Sequence, residues 1–159
     1  MIKVLFVCLG NICRSPMAEA MFRDLVKREG LEHAIEIDSA GTGDWHIGNP
    51  PHDGTKEILK KHQVIADGLV ARQMKDSDLD HFHYIVAMDA SNIENIEKIG
   101  KGNQTSRIVR LLDYVEDQQD KDIPDPYYTG NFEETYELVK KGCIHLLKEI
   151  RSSHTTLGK

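Results

Sequence analysis

The chain has 159 residues, of which 40% are hydrophobic, and its formal net charge at pH 7 is -6. This length and apolar content predict a single domain, residues 1–159, with one core. The acidic balance argues against a nucleic-acid partner, because proteins that bind nucleic acid usually present a basic face. No apolar run approaches the roughly 18 residues that a membrane span needs, so we expect no membrane partner and a cytoplasmic location.

The first predicted element is a buried parallel strand at Val4–Val7, a short apolar run of β-branched and aromatic residues. Cys8 follows at the carboxyl end of this strand. Ser15 and Pro16 then predict an N-cap and the first position of a helix, which continues with apolar residues at helical spacing. The segment between the strand and the helix is therefore a short loop that opens onto a helix amino terminus.

This loop is suited to hold an anion, and its residues are Cys8, Leu9, Gly10, Asn11, Ile12, Cys13, Arg14 and Ser15. Its backbone N–H groups and the positive end of the helix dipole favour a bound phosphate. We expect Gly10 to allow close backbone approach and positive φ, and Asn11 to tolerate a left-handed conformation. The guanidinium of Arg14 can bind two phosphate oxygens at once. The loop is therefore a predicted phosphate-binding loop.

A nucleophile lies at the base of the loop. The positive local field favours the thiolate form of Cys8, and the Ser15 hydroxyl can donate a hydrogen bond to its sulfur. The alternative is that Cys8 and Cys13 are small buried hydrophobes and that Arg14 is a surface charge. The strand, the loop, the arginine and the helix start all agree with a catalytic interpretation, which we therefore favour.

Strands and helices alternate along the rest of the chain. Further strands are predicted at Ile35–Ser39, Tyr84–Met88 and Ile108–Leu112, and further helices at Thr55–His62, Ser91–Ile99 and Phe132–Ile150, the last capped by Asn131 with Glu134. This alternation predicts an α/β fold of three layers, a four-stranded parallel sheet with helices on both faces and the phosphate-binding loop after strand 1. We expect the polar tail Ser152–Lys159 to fray.

A second chemical motif, Asp125-Pro126-Tyr127-Tyr128, lies in the predicted loop before the last helix. Expulsion of an alkoxide or phenoxide from phosphorus needs a proton donor, and a carboxyl group shielded by aromatic rings can supply the proton. Asp125 is the candidate. The alternative is that the Asp-Pro pair only forms a turn and that the tyrosines pack or face solvent.

The Cys8–Ser15 loop, the Pro16–Ala20 segment after it and the distant Asp125–Tyr128 motif resemble the low-molecular-weight protein tyrosine phosphatases. The likeness extends from the first strand to the last helix. It implies hydrolysis of a phosphotyrosine-containing protein or peptide, with inorganic phosphate as product and inhibitor. It implies no metal and no other cofactor.

The resemblance also implies a mechanism. Cys8 attacks phosphorus and forms a phosphocysteine, while Asp125 protonates the leaving phenol and then, as a carboxylate, activates water. Arg14 and the loop amides hold the phosphate oxygens through both steps. The first two loop residues after Cys8, Leu9 and Gly10, contribute amides of this kind.

Other positions of the family match residues around the loop. Asn11 is implied to hold the loop in shape, and Ile12 and Cys13 to line the pocket. Asp89 matches a supporting acidic position near the loop, with helix capping as the alternative. Leu69 stands where some family members have a histidine, so any hydrogen bond from that histidine to the loop support is absent or replaced.

The walls of the cleft are implied in the same way. Trp45 matches the variable wall that helps to choose substrates, and Tyr127 and Tyr128 match the opposite wall, where an aromatic ring can be held. If Cys8 and Cys13 line one pocket, their oxidation could join them in a reversible disulfide that protects Cys8, which we state as a hypothesis. Cys143 lies in a predicted helix and is expected to pack in the core.

Three other functions are alternatives to hydrolysis of phosphotyrosine. An arsenate reductase of the same fold needs extra cysteines near the third strand, and Tyr84–Ile99 contains none. Bacterial relatives that hydrolyse phosphoarginine carry threonine directly after the loop asparagine; Ile12 is bulkier and cannot donate a hydrogen bond, which favours an aryl phosphate. A non-catalytic phosphate-binding module would not need both Cys8 and Asp125.

Overall fold

The computed structural model describes residues 1–100 and 105–154. The strands are β1 (Ile2–Cys8), β2 (Ile35–Gly41), β3 (Tyr84–Ala87) and β4 (Arg107–Arg110). The helices are α1 (Arg14–Arg28), α2 (Asp53–Lys61), α3 (Asp78–His81), α4 (Ala90–Ile99), α5 (Pro126–Thr129) and α6 (Phe132–Ser153). Of the predicted tail, the first residues belong to the end of α6, and residues 155–159 lie outside the described part of the chain.

The four strands form one parallel sheet, as predicted, and their order in the sheet is β2-β1-β3-β4. β1 lies inside the sheet, because it pairs with β2 on one side and with β3 on the other. The loop after β1 is therefore flanked by the carboxyl ends of two neighbouring strands. In parallel α/β sheets this edge is where ligands bind.

The residues of β1 alternate between two apolar layers. Val4 and Phe6 pack into the cluster formed with α1 and α6, and the ring of Phe6 meets that of Phe22 edge to face with centroids 5.5 Å apart. Leu5 and Val7 pack into the cluster formed with α3 and α4. All four β1 side chains are fully buried, each contributing about 1.5–3 kcal/mol to folding. This confirms the three-layer prediction.

The chain departs from the sequence prediction at the end of β4. The predicted strand Ile108–Leu112 was too long, because β4 stops at Arg110 and a 3-10 turn, Leu111–Tyr114, follows. The carboxylate of Asp113 accepts a hydrogen bond from the Arg110 backbone N–H at 2.8 Å, which closes this turn. Leu111 is fully buried and packs against Gly142 of α6, where a Cβ atom would lie 2.4 Å from Leu111 Cγ.

α3 and α5 were not predicted, because helices of four residues are too short to show helical periodicity. α6 has 22 residues, and Asn131 caps it by accepting a hydrogen bond from the Glu134 backbone N–H at 3.0 Å, as predicted. Cys143 of α6 is buried, and burial raises the pKa of its thiol. None of the helices in residues 1–100 and 105–154 is long and apolar enough to cross a membrane.

Candidate active site

The loop between β1 and α1 curls through one left-handed residue. Asn11 has φ of 57°, as predicted, whereas the prediction of positive φ at Gly10 is wrong. Gly10 supplies space instead, since a Cβ atom there would lie 3.1 Å from Cδ2 of His46. Backbone bonds hold the start of the loop to the end of β2: the N–H of Thr42 donates to the Cys8 carbonyl at 3.0 Å, and the N–H of Gly43 donates to the Leu9 carbonyl at 2.9 Å.

The start of α1 also differs from the prediction. The helix begins at Arg14, with Cys13 at the N-cap position, so the prediction that Ser15 is the N-cap is wrong. The hydroxyl of Ser15 has another partner, because Ser15 Oγ lies 3.0 Å from Cys8 Sγ. Ser15 is fully buried inside the first turn of the helix, below the loop. The predicted contact between Ser15 and the candidate nucleophile is therefore present, although the predicted N-cap role is not.

The side chain of Asn11 fixes the loop from within. Its Nδ2 donates to Ser15 Oγ at 2.7 Å and to Ser39 Oγ at 3.0 Å, while its Oδ1 accepts from the Arg72 backbone N–H at 2.9 Å. Because Ser15 Oγ accepts from Asn11, its own proton is available to Cys8 Sγ, which is nearer than the Ala40 carbonyl at 3.5 Å. Both polar atoms of the amide are therefore bonded without a side chain from position 69, where Leu69 is buried.

Ser39 extends this network to Glu19, whose Oε1 accepts from Ser39 Oγ at 2.5 Å. Glu19 also pairs with Arg23 through its other oxygen. Burial raises the pKa of Glu19, while the bond from Ser39 and the charge of Arg23 act in the opposite direction. The loop thus rests on a chain of polar side chains that leads from Cys8 to the surface of α1.

Arg14 is 2% exposed and uses one end of its guanidinium for structure. Its Nη1 donates to Asp89 Oδ2 at 2.6 Å and to the Ile123 carbonyl at 2.8 Å, and its Nη2 lies 3.4 Å from Asp125 Oδ2. Nε is buried and has no hydrogen-bond partner among the described residues. The edge formed by Nε and Nη2 therefore keeps the donors that could bind two oxygens of an anion.

Neighbouring acidic groups stabilise the positive charge of Arg14. Burial opposes that charge, but Cys8, Asp89 and Asp125 outweigh it and raise the pKa of the guanidinium above its ordinary value. Asp89 has two roles that the sequence left as alternatives. Its Oδ2 holds Arg14, while its Oδ1 accepts from the Asn92 backbone N–H at 2.8 Å and so caps α4.

A cleft of about 310 Å³ opens above the loop. Its lining is formed by Cys8, Leu9, Gly10, Ile12, Cys13, Trp45, His46, Asp125, Tyr127 and Tyr128. The structure thus brings the predicted nucleophile, the predicted acid and both predicted walls to one place. Asn11, Arg14, Ser15 and Asp89 are not part of the lining and contact the loop or its arginine instead.

Asp125 reaches the cleft from the amino terminus of α5. It is the N-cap of this helix, and its Oδ1 accepts from the Tyr127 backbone N–H at 3.0 Å. The tyrosines that follow are largely exposed, with 53% of Tyr127 and 73% of Tyr128 accessible, as is 66% of Trp45 on the other wall. Aromatic surface exposed on two sides of one cleft is suited to grip a flat ring.

The two cysteines of the cleft differ chemically. Burial, together with the negative charges of Cys8 and Asp125, raises the pKa of Cys13 to about 12. Cys13 is therefore a neutral thiol near pH 7, and Cys8 remains the candidate nucleophile. No group of three His, Cys, Asp or Glu side chains in residues 1–100 and 105–154 is placed to hold a metal ion.

Sequence reasoning missed several residues of the site. Ser39, Arg72 and Ile123 bind loop residues that lie 28, 61 and 109 positions away along the chain, and no local pattern marks such contacts. His46 also lines the cleft, beside Trp45. Its position directly after Trp45 was the only available signal.

Comparison with known proteins agrees with this geometry. Residues 3–156 match the model of the family described as low molecular weight phosphotyrosine protein phosphatase. The fold, the loop and this match define the class of the protein, a phosphoric monoester hydrolase. The low-molecular-weight protein-tyrosine-phosphatase YfkJ of Bacillus subtilis (strain 168) is 61% identical over 151 residues, covering 95% of this chain and 97% of YfkJ. The chain belongs to the low-molecular-weight protein tyrosine phosphatase family.

Solved structures support the same placement. The crystal structure of YfkJ from Bacillus subtilis superposes with a TM-score of 0.94 at 60% identity, covering 97% of each chain. The crystal structure of DARP, described as a Drosophila arginine phosphatase, superposes with a TM-score of 0.87 at 34% identity, covering 94% of this chain and 98% of DARP. Proteins of this fold are therefore named for two different activities, tyrosine phosphatase and arginine phosphatase.

Proposed function

We propose that the protein hydrolyses phosphotyrosine in proteins or peptides through a phosphocysteine at Cys8. The observation that carries the proposal is the buried guanidinium of Arg14. Asp89 and the Ile123 carbonyl hold its Nη1, while Nε has no partner among the described residues. An immobile cation with two adjacent donors next to a cysteine sulfur is suited to a phosphate dianion.

In the first step the sulfur of Cys8 attacks phosphorus and the bond from phosphorus to the tyrosine oxygen breaks. The proton of Asp125 goes to that oxygen, so phenol leaves rather than phenolate. Arg14 and the loop amides bind the other phosphate oxygens, where charge is held in the transition state. The electron pair of the broken bond stays with the leaving oxygen.

In the second step Asp125, now a carboxylate, takes a proton from water, and the water oxygen attacks phosphorus. The bond from sulfur to phosphorus breaks and returns Cys8 as a thiolate, which Ser15 stabilises with the proton aimed by Asn11. The product is inorganic phosphate. It keeps the three oxygens of the substrate that Arg14 and the loop amides bind, so it competes with the substrate for the loop and inhibits the enzyme.

The walls of the cleft favour an aryl phosphate. Trp45, Tyr127 and Tyr128 contribute aromatic surface to the lining, and Ile12 adds an apolar side chain. Phosphoarginine is the second candidate, because DARP is described as an arginine phosphatase. Ile12 weighs against it, since an isoleucine side chain gives no hydrogen bond to a guanidinium group.

Rates on three matched peptides test the substrate class. Peptides that differ only in phosphotyrosine, phosphoarginine or phosphoserine are compared at equal concentration by release of inorganic phosphate. We expect phosphotyrosine to react at least roughly ten-fold faster than the other two, as an aromatic cleft would require. Faster release from the phosphoarginine peptide would reject the aryl assignment, and Ile12→Thr is then the variant to compare.

Replacement of Asp125 by alanine tests the acid. We expect kcat/KM for phenyl phosphate, which has a poor leaving group, to fall roughly 10²–10³-fold. A dinitrophenyl phosphate needs little protonation, so its kcat/KM is expected to fall far less. Equal losses on both substrates would remove Asp125 from the acid role. Asp117→Ala, which removes an exposed carboxylate from the preceding loop, is the matched control.

Mild peroxide tests the redox hypothesis. Peroxide oxidises the Cys8 thiolate to a sulfenic acid, and attack by Cys13 then expels water and forms a disulfide. We expect peptide mapping to find Cys8 linked to Cys13, and activity to return with a dithiol reductant. In Cys13→Ser this recovery is expected to be lost. If the unsubstituted protein gave Cys8 only as sulfinic or sulfonic acid, the hypothesis would be wrong.

A further inference from the structure

Three consecutive residues where β3 passes into α4 each contact a different part of the site. The Met88 carbonyl accepts a hydrogen bond from the Ile123 backbone N–H at 2.9 Å. Asp89 binds Arg14, and the Ala90 backbone N–H donates to Asp122 Oδ1 at 2.9 Å. The segment that leads to Asp125 is therefore held by the same short stretch of chain that holds the phosphate-binding arginine.

Asp122 connects this segment to two elements. Its Oδ1 accepts from Ala90, which offers one of the N–H groups that α4 leaves unpaired at its start. The same oxygen accepts a hydrogen bond from Arg110 Nη1 at 3.2 Å. Arg110 is the last residue of β4, and its Nε also donates to the Asp113 carboxylate in the turn that follows. The side chain of Asp122 is 46% exposed, so the bond to the backbone N–H contributes more than the ion pair does.

The backbone between Asp122 and Asp125 has little freedom to rotate. Ile123 is bonded on both sides of its backbone, since its N–H donates to Met88 and its carbonyl accepts from Arg14. Pro124 follows, and its ring fixes φ at that position and restricts the residue before it. Few backbone rotations therefore remain between Asp122 and Asp125, so a shift of the first moves the second.

We propose that Asp122 is a positioning residue that sets where the Asp125 carboxyl group stands over the leaving oxygen. This inference rests on the acid role proposed above for Asp125. Asp122 does not line the cleft and touches no reacting atom. We therefore expect it to act through Asp125, with the main effect on delivery of the proton to the leaving oxygen.

The test is Asp122→Ala, measured as kcat/KM on aryl phosphates with leaving groups from dinitrophenol to phenol. We expect roughly a five-fold loss on phenyl phosphate and less than a two-fold loss on the dinitrophenyl ester, as loss of one hydrogen bond that acts through the acid would give. Asp122→Asn keeps an oxygen for the Ala90 N–H and is expected to recover most of the loss. Equal losses across the series, or no loss, would overturn the inference.

A double-mutant cycle separates positioning from general destabilisation. In the Asp125→Ala background, Asp122→Ala is expected to have no further effect, because the group that it positions is gone. A loss that persists in that background would also overturn the inference. If Asp125→Ala itself showed no leaving-group dependence, the proposed function would fail at the acid. If only Asp122→Ala showed none, the proposed function would stand and this inference would fall.

Discussion

Cys8→Ser is expected to abolish turnover of an aryl phosphate while leaving phosphate bound. A serine hydroxyl is a far weaker nucleophile than a thiolate, and loss of an attacking group of this kind lowers kcat by roughly 10⁴-fold or more. The donors that bind phosphate, the loop amides and Arg14, remain. Phosphate release from p-nitrophenyl phosphate measures the first effect, and calorimetric titration with inorganic phosphate measures the second.

Cys143→Ala is the matched control, because it removes the thiol of a buried α6 residue that does not belong to the loop. Its activity is expected to stay close to that of the unsubstituted protein. Turnover retained in Cys8→Ser would reject the nucleophile. Loss of phosphate binding together with turnover would show instead that the loop had changed shape, which a thermal unfolding curve would confirm.

Arg14→Lys is expected to have the next largest effect. Lysine keeps the positive charge but lacks the planar fork, so it cannot bind Asp89, the Ile123 carbonyl and two phosphate oxygens together. We expect kcat/KM to fall roughly 10³-fold, the size of effect seen when a transition-state donor is removed. Inorganic phosphate is also expected to inhibit more weakly.

The control for Arg14→Lys is Arg28→Lys, on the last turn of the same helix. Arg28 is 70% exposed and pairs with Asp24, so its replacement is expected to leave kcat/KM unchanged. If Arg14→Lys reacted at the rate of the control, the charge alone would suffice and the bidentate assignment would be wrong. Steady-state kinetics on one aryl phosphate makes the comparison.

The sheet and the phosphate-binding loop could be predicted because their signals are local. An apolar run ending in Cys8, a short polar loop and a helix start are features of neighbouring residues, and Asn11 takes the left-handed conformation that its residue type tolerates. The same local rules failed for the N-cap predicted at Ser15 and for the positive φ predicted at Gly10. The predicted contact between Ser15 and Cys8 is present, and Gly10 leaves space for the side chain of His46.

The support of the site could not be predicted, because its contacts join distant parts of the chain. Asp89 is the clearest case: the sequence left helix capping and support of the loop as alternatives, and in the structure one oxygen caps α4 while the other binds Arg14. The last strand was predicted too long for a related reason. Leu111 is apolar enough for a strand, but Asp113 turns the chain there and α6 covers it.

The distance in sequence between Cys8 and Asp125 has a consequence for biosynthesis. A ribosome makes the nucleophile and its arginine first, and it adds the proton donor only after more than a hundred further residues. Throughout that interval Arg14 lacks both Asp125 and the Ile123 carbonyl that holds it. We therefore expect the nascent polypeptide to lack the complete site until translation is nearly finished.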